Sequence, residues 1–142
     1  EKVYHRKGLR VFKDFAHSPS KVKATVKAVK TQFEDSKVIA VLELHTFSSL
    51  NKSFLTEYKN AMNGVEVALV YFDPNAIVHK KLEDLSTALV FNSFNRADLK
   101  VLTTRNQISE SIEREITANT IVLFMSSGNF GGLNLEVFSK QL

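Results

Sequence analysis

Cysteine is absent from the sequence, which excludes disulfide bonds and thiolate metal sites and gives no sign of an oxidising compartment. Long apolar runs are absent too. Stretches such as Ile121–Met125 are strand-sized, far short of the roughly 20 residues a membrane-spanning helix needs. The first residues are charged and lack an apolar stretch, so no secretory leader is expected. Glycine is scarce, and three of the five, Gly128, Gly131 and Gly132, fall in one short segment. Neither G-x-x-x-x-G-K-[ST], G-x-G-x-x-G nor G-x-S-x-G occurs. A nucleotide-using enzyme built on this chain must therefore carry its phosphate cradle elsewhere.

What is present is an ordinary globular composition: 142 residues, 44% hydrophobic and 24% charged. That length suits one domain with one sizeable core. The net charge of +4 is a mild basic excess. Its lysines and arginines are scattered, without the aromatic-interleaved stripe of a nucleic-acid surface, so no nucleic-acid partner is expected. Small anionic substrates account for the excess equally well.

Short apolar runs alternate with helical patterns. Leu9–Phe15, Lys37–Leu44, Val65–Phe72, Leu99–Leu102 and Thr120–Met125 read as strands, several nearly continuous in apolar residues, as in parallel sheets covered on both faces. Ser18 and Pro19 open a helix as cap and first residue, with Val22, Val26, Val29 and Phe33 facing the sheet. Lys23, Lys27 and Lys30 fall on another face, read as solvated. Phe54, Leu55, Tyr58 and Met62 mark a second helix, and Leu82–Phe91 a weaker third. Ile108, Ile112 and Ile116 mark a fourth, and residues from Leu135 a short last one. The fold class is α/β, a Rossmann-like open, mostly parallel sheet flanked by helices on both faces.

Ligands of such sheets bind beyond the carboxyl ends of the strands, and unusual polar residues cluster in those loops. Asp14 to Pro19 follow the first strand, Glu43 to Lys52 the second, Asp73 to Asn75 the third, and Ser126 to Gly132 the last. The glycine segment is either a loop whose amides cradle an anion or a tight strand-to-helix turn. Asp14 and His17 are either a ligand-binding or acid–base pair, or a turn residue and a histidine bonded to backbone. His5, His17, His45 and His79 are too widely spaced for a local metal cluster, and no metal is assigned.

Asp14-Phe15-Ala16-His17-Ser18-Pro19 resembles the D-[YF]-[AG]-H-x-P motif that opens the third domain of Mur ligases. Leu42-Glu43-Leu44-His45-Thr46 resembles the L-E-x-R-S-N-T segment of the murein peptide ligases within that family, and Met125 to Leu133 their late M-S-N-G-x-F-G-G segment. The resemblance implies one C-terminal domain over residues 1–142, a fragment of a longer three-domain, ADP-forming ligase. Such a domain alone is expected to be inactive. ATP and Mg2+ would bind mainly to the central domain, in the cytoplasm. The substrates implied are UDP-N-acetylmuramate and L-alanyl-γ-D-glutamyl-meso-diaminopimelate. Their carboxylate and amine would be joined through an acyl phosphate, by orientation and electrostatic stabilisation.

By the same resemblance Asp14 and His17 belong to the nucleotide-binding loop. His45, Thr46, Ser48, Asn51 and Lys52, with Gly128, Asn129 and Phe130, would face the substrate. His45 stands where the family segment has arginine, which removes a bidentate carboxylate fork. Two alternatives stay open: the C-terminal domain of a UDP-N-acetylmuramate–L-alanine ligase, whose second loop typically reads P-H-R-Y-x-R, and a non-catalytic α/β binding module.

Overall fold

The computed structural model describes residues 1–82 and 85–142. In chain order the elements are β1 (Lys2–Arg6), β2 (Leu9–Asp14), α1 (Pro19–Gln32), β3 (Lys37–Glu43), β4 (Val67–Tyr71), α2 (Pro74–His79), α3 (Thr87–Ser93), β5 (Lys100–Leu102), α4 (Arg105–Glu115), β6 (Thr120–Met125) and α5 (Leu135–Lys140). The strands form one sheet in the order β1-β2-β6-β3-β4-β5, parallel except for the antiparallel edge strand β1.

Strands β6 and β3 lie at the centre, and every residue of β6 is buried. This is why their sequences are apolar without a break: alternate side chains feed two cores. One face carries Val38, Ala40 and Leu42 against Val22 and Val26 of α1 and Val90 of α3. The other carries Ile39, Val41, Val122 and Phe124 against Ile108 and Ile112 of α4 and Phe138 of α5. Each fully buried aliphatic side chain of this kind stabilises the fold by about 1.5–3 kcal/mol. The expected sandwich of helices on both sheet faces is the observed architecture.

Several local expectations differ. Ser18 has the extended backbone of a cap but its side chain makes no capping bond; Pro19 and the Val22 amide bond to the Ser18 carbonyl begin the helix instead. The helix expected over Phe54–Met62 shrinks to one 3-10 turn, Leu55–Tyr58, because the chain turns left-handed at Asn60 (φ 65°). Leu55, Tyr58 and Met62 are nonetheless buried, so the apolar spacing reported burial correctly and helix wrongly. The helix expected over Leu82–Phe91 includes residues 83 and 84, which lie outside the described residues. What is described there is α3, capped by the Ser86 side chain. Helix α2 was not expected, although Asp73 accepts from the Asn75 amide and Pro74 takes the first helical position. Lys30 is not a solvated member of a stripe, since its ammonium lies 2.9 Å from Glu66 Oε2.

Candidate functional site on the carboxyl edge of the sheet

Parallel registry fixes which loops meet. Asp14 and Leu42 both pair with Met125, Glu43 pairs with Tyr71, and Tyr71 pairs with Leu102. The chain therefore leaves β2, β6, β3, β4 and β5 along one rim. Asp14, His45 and the glycine turn share that rim.

In the loop after β2, Asp14 Oδ2 accepts from the Ala16 amide at 2.9 Å and from the Thr25 hydroxyl at 3.2 Å. His17 Nδ1 donates to the Phe15 carbonyl at 2.9 Å. Both side chains are thus anchored to their own loop. The His17 carbonyl in turn accepts the Tyr58 hydroxyl, tying this loop to the segment after β3. Tyr58 is completely buried, stacked on Phe94 at 5.2 Å, and burial raises its phenol well above the ordinary 10.0.

After β3 the chain folds on itself through reciprocal bonds: the Thr46 amide donates to the Ser49 hydroxyl and the Ser49 amide to the Thr46 hydroxyl. This leaves a hollow of about 280 Å³ between His17, Ser18, Thr46, Ser48, Phe54 and Tyr58. Beside it, Leu50 to Ser53 face Lys81 and Leu82 across an open cleft of about 480 Å³. Asn51 spends its side-chain oxygen on the Ser53 amide, 2.9 Å away, and shapes that wall. Phe47 is exposed at the rim under the Lys80 ammonium, 4.7 Å from the ring centre.

Three amides of the glycine turn are bonded within the protein. The Gly128 amide donates to Ser126 Oγ at 2.7 Å, the Phe130 amide to Glu43 Oε1 at 3.0 Å, and the Gly132 amide to Asn129 Oδ1 at 3.2 Å. The protein's own carboxylate occupies the turn. The Phe130 ring is fully buried and set edge-on to Phe124 at 5.2 Å, so only its backbone belongs to the rim. Asn129 is exposed at the tip. Gly131 adopts φ 67° against the Tyr71 hydroxyl, where a Cβ would come within 2.6 Å of the oxygen.

Glu43, named in the sequence reading only as part of the loop after β3 and of the Leu42–Thr46 segment, is the buried carboxylate behind the glycine turn. It ends β3 only 4% exposed and accepts from Ser126 Oγ at 2.6 Å as well as from Phe130. A lone carboxylate closing an otherwise apolar run was the available signal. Burial, followed by the charges of Asp73 and Glu43, raises the Tyr71 phenol, with Arg105 opposing.

Among the described residues no group of three or more His, Asp or Glu side chains could hold a metal ion, and no helix is long and apolar enough to cross a membrane. The Gly128, Phe130 and Gly132 amides are taken by Ser126, Glu43 and Asn129, so these three do not serve a phosphate cradle.

The family model described as "Mur ligase, glutamate ligase domain" matches residues 1–128. The UDP-N-acetylmuramate–L-alanine ligase of Chlorobium luteolum is 36% identical over 144 residues, covering 94% of this chain and 30% of that protein. The chain thus spans about a third of the length of that relative. Among solved structures, a murein peptide ligase from Psychrobacter arcticus matches with TM-score 0.69 at 18% identity, over 94% of this chain and 27% of that one. A UDP-N-acetylmuramate–alanine ligase from Thermotoga maritima matches with TM-score 0.65 at 13% identity, over 99% and 30%. The two structural likenesses speak for the fold, and the match to the family model carries the assignment: this chain belongs to the Mur ligase family, as its C-terminal domain.

Proposed function

We propose that this domain receives the amine substrate of a longer, three-domain, cytoplasmic ligase that extends UDP-N-acetylmuramate at the expense of ATP. The nucleotide's phosphates and Mg2+ would be held by the preceding domain, since this chain carries no G-x-x-x-x-G-K-[ST] loop and the Gly128, Phe130 and Gly132 amides of its glycine turn are bonded internally. In the reaction so assigned, the muramate carboxylate displaces ADP from the γ-phosphate to give an acyl phosphate. The amine nitrogen then bonds to the acyl carbon and inorganic phosphate leaves. This chain's part is to hold that amine in line, which is orientation rather than covalent chemistry. In this reading Asp14 and His17 border the nucleotide, whereas His45, Thr46, Ser48, Asn51, Lys52 and the 128–130 backbone border the amine substrate.

The amine substrate proposed is L-alanyl-γ-D-glutamyl-meso-diaminopimelate. The observation that carries this is the cleft of about 480 Å³ with Lys52 and Lys81 on its walls. It offers far more room than a single alanine fills, and the Lys81 ammonium on its wall suits a peptide that bears carboxylates. The likeness of Met125 to Leu133 to the murein peptide ligase segment points the same way. A second reading, addition of L-alanine alone, is favoured by the 36% identity to the Chlorobium luteolum L-alanine ligase. Phosphate release by the full-length enzyme with UDP-N-acetylmuramate and either amine separates the two. The tripeptide should give the higher kcat/KM; preference for L-alanine would replace the first reading by the second.

A further inference from the structure

Glu43 is expensive to keep where it is. It lies on the sheet face of Ile39 and Val41, beside Phe124, Phe130 and Tyr71, nearly out of water. A carboxylate in such surroundings is retained only when hydrogen bonds satisfy it. An apolar side chain would fill the site at lower cost, so core packing alone does not account for it.

The bonds it accepts lead to the rim. Ser126 ends the run out of β6, and the Phe130 amide belongs to a residue held at φ 54°, a left-handed conformation that a bulky side chain adopts only under constraint. Gly128 lies between these two anchors. A Cβ there would come within 2.8 Å of both Glu43 Oε1 and His45 Cγ. The Gly128 backbone thus packs directly against both the buried carboxylate and the imidazole, with no room for a side chain. His45 is half-buried, with the carboxylate-anchored turn behind it.

We propose that Glu43 is a positioning residue: by holding Ser126 and the Phe130 amide it fixes the Gly128 backbone, and that backbone sets the position in which His45 meets the amine substrate. The last clause rests on the proposed function; the link from Glu43 to His45 does not.

Two measurements keep these parts distinguishable. The first is the imidazole proton–carbon NMR spectrum of the 142-residue chain. Glu43→Ala should move the His45 signal, while Glu43→Gln, which retains an oxygen acceptor, should leave it near its wild-type position. Where Glu43→Ala does not fold, Ser126→Ala loosens the same network with the carboxylate intact and should move the same signal. A His45 signal unmoved in a folded Glu43→Ala or Ser126→Ala chain overturns the link. The second is steady-state kinetics of the full-length enzyme. Glu43→Ala, or Ser126→Ala in its place, should raise KM for the amine substrate about tenfold, the effect of losing one hydrogen bond to a charged group. KM for ATP should stay unchanged, and Glu43→Gln should restore the wild-type value. A moved His45 signal with an unchanged amine KM would overturn the assignment of this rim to the amine, while the link itself would stand.

Discussion

Replacing Tyr58 by phenylalanine removes one oxygen from a ring that is otherwise fully buried. The stack on Phe94 at 5.2 Å and the edge contact with Phe54 at 6.1 Å do not involve that oxygen, so packing is preserved. What disappears is the bond to the His17 carbonyl. His17 is half-buried, so its carbonyl recovers water in part, and Tyr58→Phe should cost about 1–2 kcal/mol at neutral pH. For a domain of this size the melting temperature should fall by roughly 3–6 °C. The pH dependence is the sharper signature. Burial keeps the folded-state phenol protonated above its ordinary 10.0, so as pH rises the unfolded chain releases this proton first. The stability tied to that proton is fully present below about pH 10 and is lost above it, by about 1.4 kcal/mol per pH unit. Tyr58→Phe lacks this titration. The raised Tyr71 phenol titrates in both proteins and cancels in the comparison. Urea unfolding of both chains between about pH 8 and pH 11 should show a wild-type advantage that is constant at first and gone near the upper limit. An advantage that stays constant throughout would refute the burial argument.

Asp14→Ala should cost the domain about 1–2 kcal/mol, because the carboxylate is bonded to the Ala16 amide and the Thr25 hydroxyl rather than lying free in a loop. Asp14→Asn should recover most of that melting temperature but not the turnover of the full-length enzyme; equal recovery of both would make Asp14 purely structural. Gly128→Ala places a methyl group 2.8 Å from both the anchored Glu43 oxygen and the His45 ring, an overpacking worth about 1–3 kcal/mol by thermal unfolding. A melting temperature unchanged from wild type would show that the turn is looser than its contacts indicate. Calorimetry of the 142-residue chain with Mg-ATP should show little or no heat, and tight binding would contradict the absence of a phosphate cradle on this rim.

The fold was legible wherever burial dictated sequence. Central strands β3 and β6 must be apolar on both faces, and their runs stood out for that reason. Edge strand β1, Lys-Val-Tyr-His-Arg, is half-exposed and carries no such run, so it was missed. Its trace lay only in Gly8, whose φ of 81° turns the chain back from Arg6 to Leu9. Around Phe54 to Met62 the apolar spacing recorded contact with the core, and nothing in that spacing distinguishes a helix from a 3-10 turn followed by a left-handed Asn60.

The candidate site was legible as a rim and illegible as a network. Strand-end loops could be counted off the sequence, and parallel pairing then placed Asp14, His45 and the glycine turn together. Which atoms satisfy one another depends on registry between residues more than eighty positions apart, as with Glu43 and Ser126. Sequence alone carries no term for that distance. Hence the Gly128 and Gly132 amides looked available although Ser126 and Asn129 already accept from them, and the Phe130 ring looked like a ligand contact although it is core.

The most direct measurement is an amide chemical-shift titration of the isotopically labelled chain with L-alanyl-γ-D-glutamyl-meso-diaminopimelate. Shifts should concentrate at Asn51 to Ser53, Lys81 and His45, along the rim described above. Shifts confined to the opposite edge of the sheet, around Lys27, Glu34 and Gly64, would contradict the placement of the amine substrate on the carboxyl ends of the strands.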